Sequence, residues 1–190
     1  MFGCMQESHF VSIFESVASE VMGSNALIKR KANLFYQLTL DRELKLDVKN
    51  TALPVRGSSA FQTDICIFEL LNGIEFPRVV IEFKMGISSH DILTYSTKAG
   101  KHKKIYPCLR YGLLASELEF IPNRFFIHNE NLDFFIAAKN YKSEADLRSF
   151  AKTLIEEELK ISRTLEQIHF DNLKFDYYRT DIIFRKFTER

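Results

Sequence analysis

Tryptophan is absent from this chain, and no apolar run approaches the roughly 20 residues of a membrane span. Cysteine is scarce. Cys4, Cys66 and Cys108 form no Cys-x-x-Cys pair, and an odd, scattered set argues against a disulfide framework or a zinc site. The N-terminus lacks a charged segment leading into an apolar one, so no secretory signal is expected and the cytoplasm is the expected compartment. Charge of either sign is nearly balanced at a net +1, which excludes a globally basic surface. Any nucleic-acid site must then be a local basic patch. Internal repeats, low-complexity segments and linkers are also missing. What remains is 190 residues, 46% hydrophobic and 27% charged, with phenylalanine abundant at 18. That is enough for one domain with a real core.

Periodicity supplies the elements. Phe10, Ile13, Phe14, Val17 and Val21 recur at helical spacing, predicting a helix over 8–23 with Ser8 as N-cap and Gly23 as stop. Residues 33–49 contain strand-like material, and "LKLDVK" (44–49) alternates as a half-wet strand does. "FQTDICIFEL" (61–70) and "FPRVVIEFKM" (76–85) read as strands joined by the hairpin signal Asn72-Gly73. A helix is predicted over 88–104, capped by Ser88 or Ser89 with Gly100 near its end. Residues 109–115 and 132–138 read as further strands. A long helix is expected over 143–169, followed by a tail, "KFDYYRTDIIFRKF", with the alternation of a last strand.

"VVIEFKMG" (79–86) poses the chemical question, because an apolar, β-branched strand here carries Glu82 and Lys84. Unpaired burial of either charge costs several kcal/mol. Glu-x-Lys occurs three times, but Glu43-Leu44-Lys45 belongs to the alternating segment and Glu158-Leu159-Lys160 to the wet side of the long helix. Only Glu82-Phe83-Lys84 follows an apolar strand. Strand alternation puts Glu82 and Lys84 on one face, with Ile81, Phe83 and Met85 on the other. Asp64 stands at the head of the preceding apolar strand. Two neighbouring carboxylates repel unless a divalent cation joins them. Such a cation acidifies bound water and stabilises charge on a phosphoryl group. Asp, Glu and Lys without a catalytic histidine motif form a hydrolytic phosphodiesterase set. His90, near a helix start beside Asp91, reads as a surface or capping residue.

Asp64, a hairpin, Glu82-Phe83-Lys84 in an apolar strand and then a helix resemble the PD-(D/E)xK nuclease superfamily over roughly residues 8–115. Thr63 stands where proline often precedes the aspartate. The resemblance implies a restriction-endonuclease-like α/β fold, with a central mixed β-sheet flanked by helices. It implies one nuclease domain over 1–190, with a core of about 8–138 and a C-terminal helix and tail over 143–190. By the same resemblance Asp64, Glu82 and the Phe83 backbone carbonyl would hold Mg²⁺, with Mn²⁺ as a substitute. Glu20 or Glu15 of the first helix would add a carboxylate, and Lys84 would act on the attacking water. The implied activity is a Mg²⁺-dependent DNA endonuclease of type II restriction type. It would act on double-stranded DNA as a homodimer, without nucleotide cofactor or membrane partner. Repair, recombination or junction-resolving nucleases share the pattern, as does a nuclease-like domain that binds without cutting. An unrelated α/β domain with a structural Glu82–Lys84 ion pair is the reading outside the family.

Two consequences can be checked in a structure. Counting back from a two-residue Asn72-Gly73 turn pairs Asp64 with Ile81, which puts the carboxylates on opposite faces. A metal site therefore needs an extra residue in the hairpin, and a broken ladder is predicted near Glu75–Arg78, where Pro77 lies. Lys98, Lys101, Lys103, Lys104 and Arg110 form the expected DNA-binding patch, phosphate contacts being the main source of non-specific affinity.

Overall fold

The computed structural model describes residues 7–185 apart from positions 49, 58, 142 and 172, and leaves out the side chain of Glu7. A first helix, α1 (Glu7–Met22), leads through a 3₁₀ turn into β1 (Ala26–Arg30) and β2 (Asn33–Phe35). After a long excursion come β3 (Ala60–Gln62), β4 (Ile65–Leu71) and β5 (Ile74–Lys84). Helix α2 (Ser89–Ile105) crosses to β6 (Arg110–Ala115). Then follow α3 (Asn123–His128), β7 (Phe134–Ala137) and α4 (Glu144–Phe170).

Five strands form one mixed sheet in the order β1-β4-β5-β6-β7. The β1-β4-β5 half is antiparallel and the β5-β6-β7 half is parallel. The remaining pair, β2 and β3, forms a separate small sheet. Alternation along β5 separates two cores. Val79, Ile81 and Phe83 face α1 and α4, while Val80 packs with Ile92 and Ala99 of α2. Burying each large aliphatic side chain contributes about 1.5–3 kcal/mol. The apolar stripe of α4, through Leu147, Ala151, Ile155 and Leu159, packs against α1 and this sheet. The protein is thus an α/β fold with helices on both faces of a mixed sheet.

Local chemistry explains most boundaries. Asn72 and Gly73 both have positive φ, at 51° and 81°, as a tight hairpin turn requires. Ser88 and Asp91 form a reciprocal capping box at the start of α2, and the Ser143 side chain caps α4. Gly100 does not end α2, which runs on to Ile105. Its missing side chain makes room for Asn131, whose atoms would lie 2.8 Å from an added Cβ. Ser8 lies inside α1 rather than at its cap, and its carbonyl accepts from the Ser12 hydroxyl.

Three further expectations are corrected. "LKLDVK" is not a strand: its described residues are mostly exposed, with one isolated bridge between Leu40 and Leu46 and Leu44 at φ 62°. Alternation alone does not make a strand when no partner offers a ladder. The described part of the tail, 173–185, contains no strand for the same reason; it lies along the surface, with Phe184 against Phe126 (5.8 Å) and Arg185 bonded to the Tyr141 hydroxyl. Glu158 is not on the wet side of α4: it is buried and bonded to Arg110 at 2.6 Å. The chain also contains β1 and α3, which the pattern did not predict. No helix among the described residues is long and apolar enough to cross a membrane.

Candidate metal centre and its groove

The hairpin ladder breaks at Arg78. Ile67 pairs with Val79 and Phe68 with Pro77, so Arg78 has no residue opposite it. Its guanidinium is 1% exposed and reaches Glu69 (2.7 Å) and Glu166 of α4 (2.5 Å). Those two carboxylates compensate a buried charge that would otherwise be costly, and they tie the bulge to the helix layer. The extra residue shifts the register by one. Ile65 now pairs with Ile81, which sets Asp64 against Glu82.

Hydrogen bonds fix that opposition. The Asp64 N–H donates to Glu82 Oε2 at 3.2 Å, and the Phe83 N–H donates to Asp64 Oδ2 at 2.8 Å. The Phe83 ring points to the other layer, edge-on to Phe14 at 5.9 Å, so only its backbone belongs to the site. Glu82 is 1% exposed. Its Oε1 accepts from Lys98 Nζ at 2.6 Å and from the Tyr111 hydroxyl of β6. Burial raises the Glu82 carboxyl above its usual range; Lys98 opposes that rise and Asp64 adds to it. Burial and the Glu82 charge push the Tyr111 phenol well up, so it stays a hydrogen-bond donor.

Lys84 lies at the end of the same strand face. Its ammonium sits 5.6 Å from the centre of the Tyr95 ring, and Lys98 approaches that ring at 5.8 Å. Glu82 therefore takes its ion pair from Lys98 of α2, two turns into the helix, rather than from Lys84.

The other expected residues separate. Lys101 stands over the Tyr36 and Phe61 rings at 5.1 and 5.7 Å. Lys103 donates to the Asn131 carbonyl and pairs with Asp133 at 2.6 Å, and burial holds it below the usual lysine range. Arg110 is clamped between Asp133 (2.8 Å) and Glu158 (2.6 Å). Lys104 is exposed near the end of α2. On α1, Glu15 is bonded to Arg30 and Glu20 to Arg148 of α4. Ser8 and Val11, a turn or more ahead of both, share with Arg30, Lys31 and Asp64 a small cavity of about 180 Å³.

Asp64 also opens onto a larger groove of about 690 Å³ between α2 and the β2–β3 sheet. Within its lining, Arg56, Lys98 and Lys101 outnumber the single carboxylate, Asp64. Sequence reasoning missed Tyr111 and the pairing of Lys98 with Glu82. The available signal was topological, since a crossover helix after β5 must return over the face that bears Glu82, and the next parallel strand must lie beside it.

Hard oxygen donors on adjoining strands suit a divalent cation. Asp64 Oδ2 is held by backbone, and Asp64 Oδ1 accepts no hydrogen bond from the described residues. Lys98 supplies the positive charge that pairs with Glu82. No protein-family model matches the chain, and no curated protein matches its sequence.

Proposed function

We propose that this chain is a Mg²⁺-dependent endonuclease that hydrolyses DNA phosphodiester bonds on a restriction-endonuclease-like fold. The observation that carries the reading is the Arg78 bulge, which sets Glu82 against Asp64, itself part of the lining of a groove richer in cations than in carboxylates. The order helix, antiparallel meander, crossover helix, parallel strand supports it as well. Asp64, Glu82 and the Phe83 carbonyl would hold the ion, with Mn²⁺ able to replace Mg²⁺. Bound there, the ion supplies an acidified water and charge stabilisation at the phosphoryl group. Lys84 Nζ would orient the attacking water from the same strand face. Lys98 and Tyr111 hold Glu82 in one rotamer through Oε1. Restriction-type cutting of a duplex by a homodimer is one form of this activity. Cutting of branched or unpaired DNA in repair or recombination is another.

Asp64→Ala and Glu82→Ala should each lower Mg²⁺-dependent cleavage of plasmid DNA on the order of a hundredfold or more. Ca²⁺ should support DNA binding without cutting. Cleavage by either variant near the wild-type rate refutes the assignment.

The Lys98–Glu82 pair favours a second reading, in which Glu82, Lys98 and Tyr111 form a structural polar network in a domain that does not cut. Calorimetric titration with Mg²⁺ separates the two, because a structural network takes up no ion.

A further inference from the structure

The groove beside Asp64 has a floor that a metal site does not need. Tyr36 follows β2 and Phe61 lies in β3, and their rings stack at 4.0 Å with an interplanar angle of 16°. Both line the groove and both are only half-buried. Lys101 rises over the pair from α2, and Arg56 flanks it from the excursion between β2 and β3. Asp64 lines the same groove. Flat rings, flanking cations and the candidate catalytic carboxylate thus share one concavity, whose size falls within the roughly 300–1,000 Å³ of ligand pockets.

An aromatic platform suits one nucleic-acid state. Bases in a duplex already cover each other's faces, so they have none to offer a ring. An unpaired base has both faces open and stacks on aromatic side chains with little regard to sequence. Cations lining the groove can meet the phosphates on either side of such a base. We propose that this groove binds an unpaired nucleotide of a DNA strand, its base extending the Tyr36–Phe61 stack and its phosphates held by Arg56 and Lys101. The substrate class is DNA with a single-stranded segment beside the scissile bond. This rests on the nuclease reading of Asp64 and Glu82, and it narrows that reading from duplex cutting to unpaired DNA.

The test uses the whole protein in Ca²⁺, where binding is separated from cutting. Fluorescein-labelled oligothymidylate and the same strand annealed to its complement are titrated by anisotropy. Wild type should bind the single strand more tightly. Tyr36→Leu should weaken that binding about tenfold, leave the duplex unchanged, and be rescued by Tyr36→Phe. Equal loss on both DNAs, no loss on either, or a duplex preference in the wild type overturns the proposal. A strand carrying 2-aminopurine gives a second readout on unaltered protein: its fluorescence should fall on binding as the base stacks, and an unchanged signal overturns the proposal even if Tyr36→Leu fails to fold. Cleavage in Mg²⁺ keeps the two readings apart. If Tyr36-dependent single-strand binding occurs with no cutting of any DNA, the groove stands and the nuclease reading falls. If duplex is cut and Tyr36→Leu changes nothing, the nuclease reading stands and the groove proposal falls.

Discussion

Lys84 and Lys98 approach the same tyrosine ring, but they stand in different electrostatic positions. Lys98 is the counter-charge of a carboxylate that is 1% exposed, while Lys84 contacts the Tyr95 ring. Lys98→Met should therefore destabilise the ion-free protein by about 3 kcal/mol, as removal of one member of a buried pair does. The same change should raise Ca²⁺ affinity, because Glu82 loses the ammonium that competes with an ion. Lys84→Met should cost about 1 kcal/mol or less, roughly the worth of a cation–π contact, while reducing cleavage. Urea unfolding with a chelator and calorimetry with Ca²⁺ check both; a cost for Lys84→Met as large as that for Lys98→Met would return the ion pair to Lys84. His102 offers a separate residue-level test. It is fully buried between Phe61 and Tyr111, with Nδ1 at 2.9 Å from the Phe35 carbonyl, and burial lowers its pKa from 6.5 to about 4. The folded protein thus binds fewer protons there than the unfolded chain between those two values. That stabilisation is present in full above pH 6.5 and is lost as pH falls toward 4. The interval of about 2.5 pH units limits the loss to about 3 kcal/mol. His102→Phe should lose this part of the acid dependence, as measured by urea midpoints from pH 7 to 4.

At the scale of elements, the join between β6 and β7 depends on one absent side chain. A Cβ at Gly112 would lie 1.9 Å from the Phe134 ring. Gly112→Ala should destabilise by about 1–3 kcal/mol through overpacking. Adding Phe134→Leu should restore part of the loss, and additive thermal shifts in the double mutant would contradict that coupling. The sequence shows much of this scaffold. The helix cap at Ser88, the Asn72-Gly73 turn and the apolar run before Glu82 are local signals, and the structure contains each of them. The need for an odd residue in the hairpin was also legible, because counting pairs from the turn requires no tertiary knowledge. Which residue bulges was not legible, since Arg78 is chosen by Glu166 on a helix 88 positions away in sequence. The identity of Glu82's cation is hidden for a similar reason, as helix rotation over a sheet is set by packing rather than by spacing. "LKLDVK" and the tail mislead in the opposite direction: their alternation satisfies a strand's pattern without a neighbouring strand to bond.

Taken as a whole, the molecule has almost no net charge, and its field comes from placement. Carboxylates of Asp133 and Glu158 hold Lys103 and Arg110 at one end of the crossover. Lys101 and Lys104 are the exposed lysines of that helix's last turns. A DNA-binding role for the cluster should therefore divide between its members. Lys101→Ala and Lys104→Ala should each reduce the slope of log affinity against log salt by about 0.7 on single strands or 0.9 on duplex. Lys103→Ala should leave the slope unchanged and lower the melting temperature, because it breaks a partly buried pair with Asp133. An unchanged slope after Lys101→Ala would mean that its charge does not face phosphate.

The Arg78 bulge also makes the site a matter of exact count. Asp64 meets Glu82 because the second strand carries one residue more than the first between the pair and the turn. Residues inserted in matched pairs beyond the bulge would lengthen the hairpin and preserve the meeting. One unmatched insertion or deletion on either strand would turn a carboxylate to the opposite layer, with every side chain of the site still encoded. The distal hairpin can therefore change length only by equal steps on its two strands, and an unmatched change of one residue there should part Asp64 from Glu82 as surely as removal of Asp64.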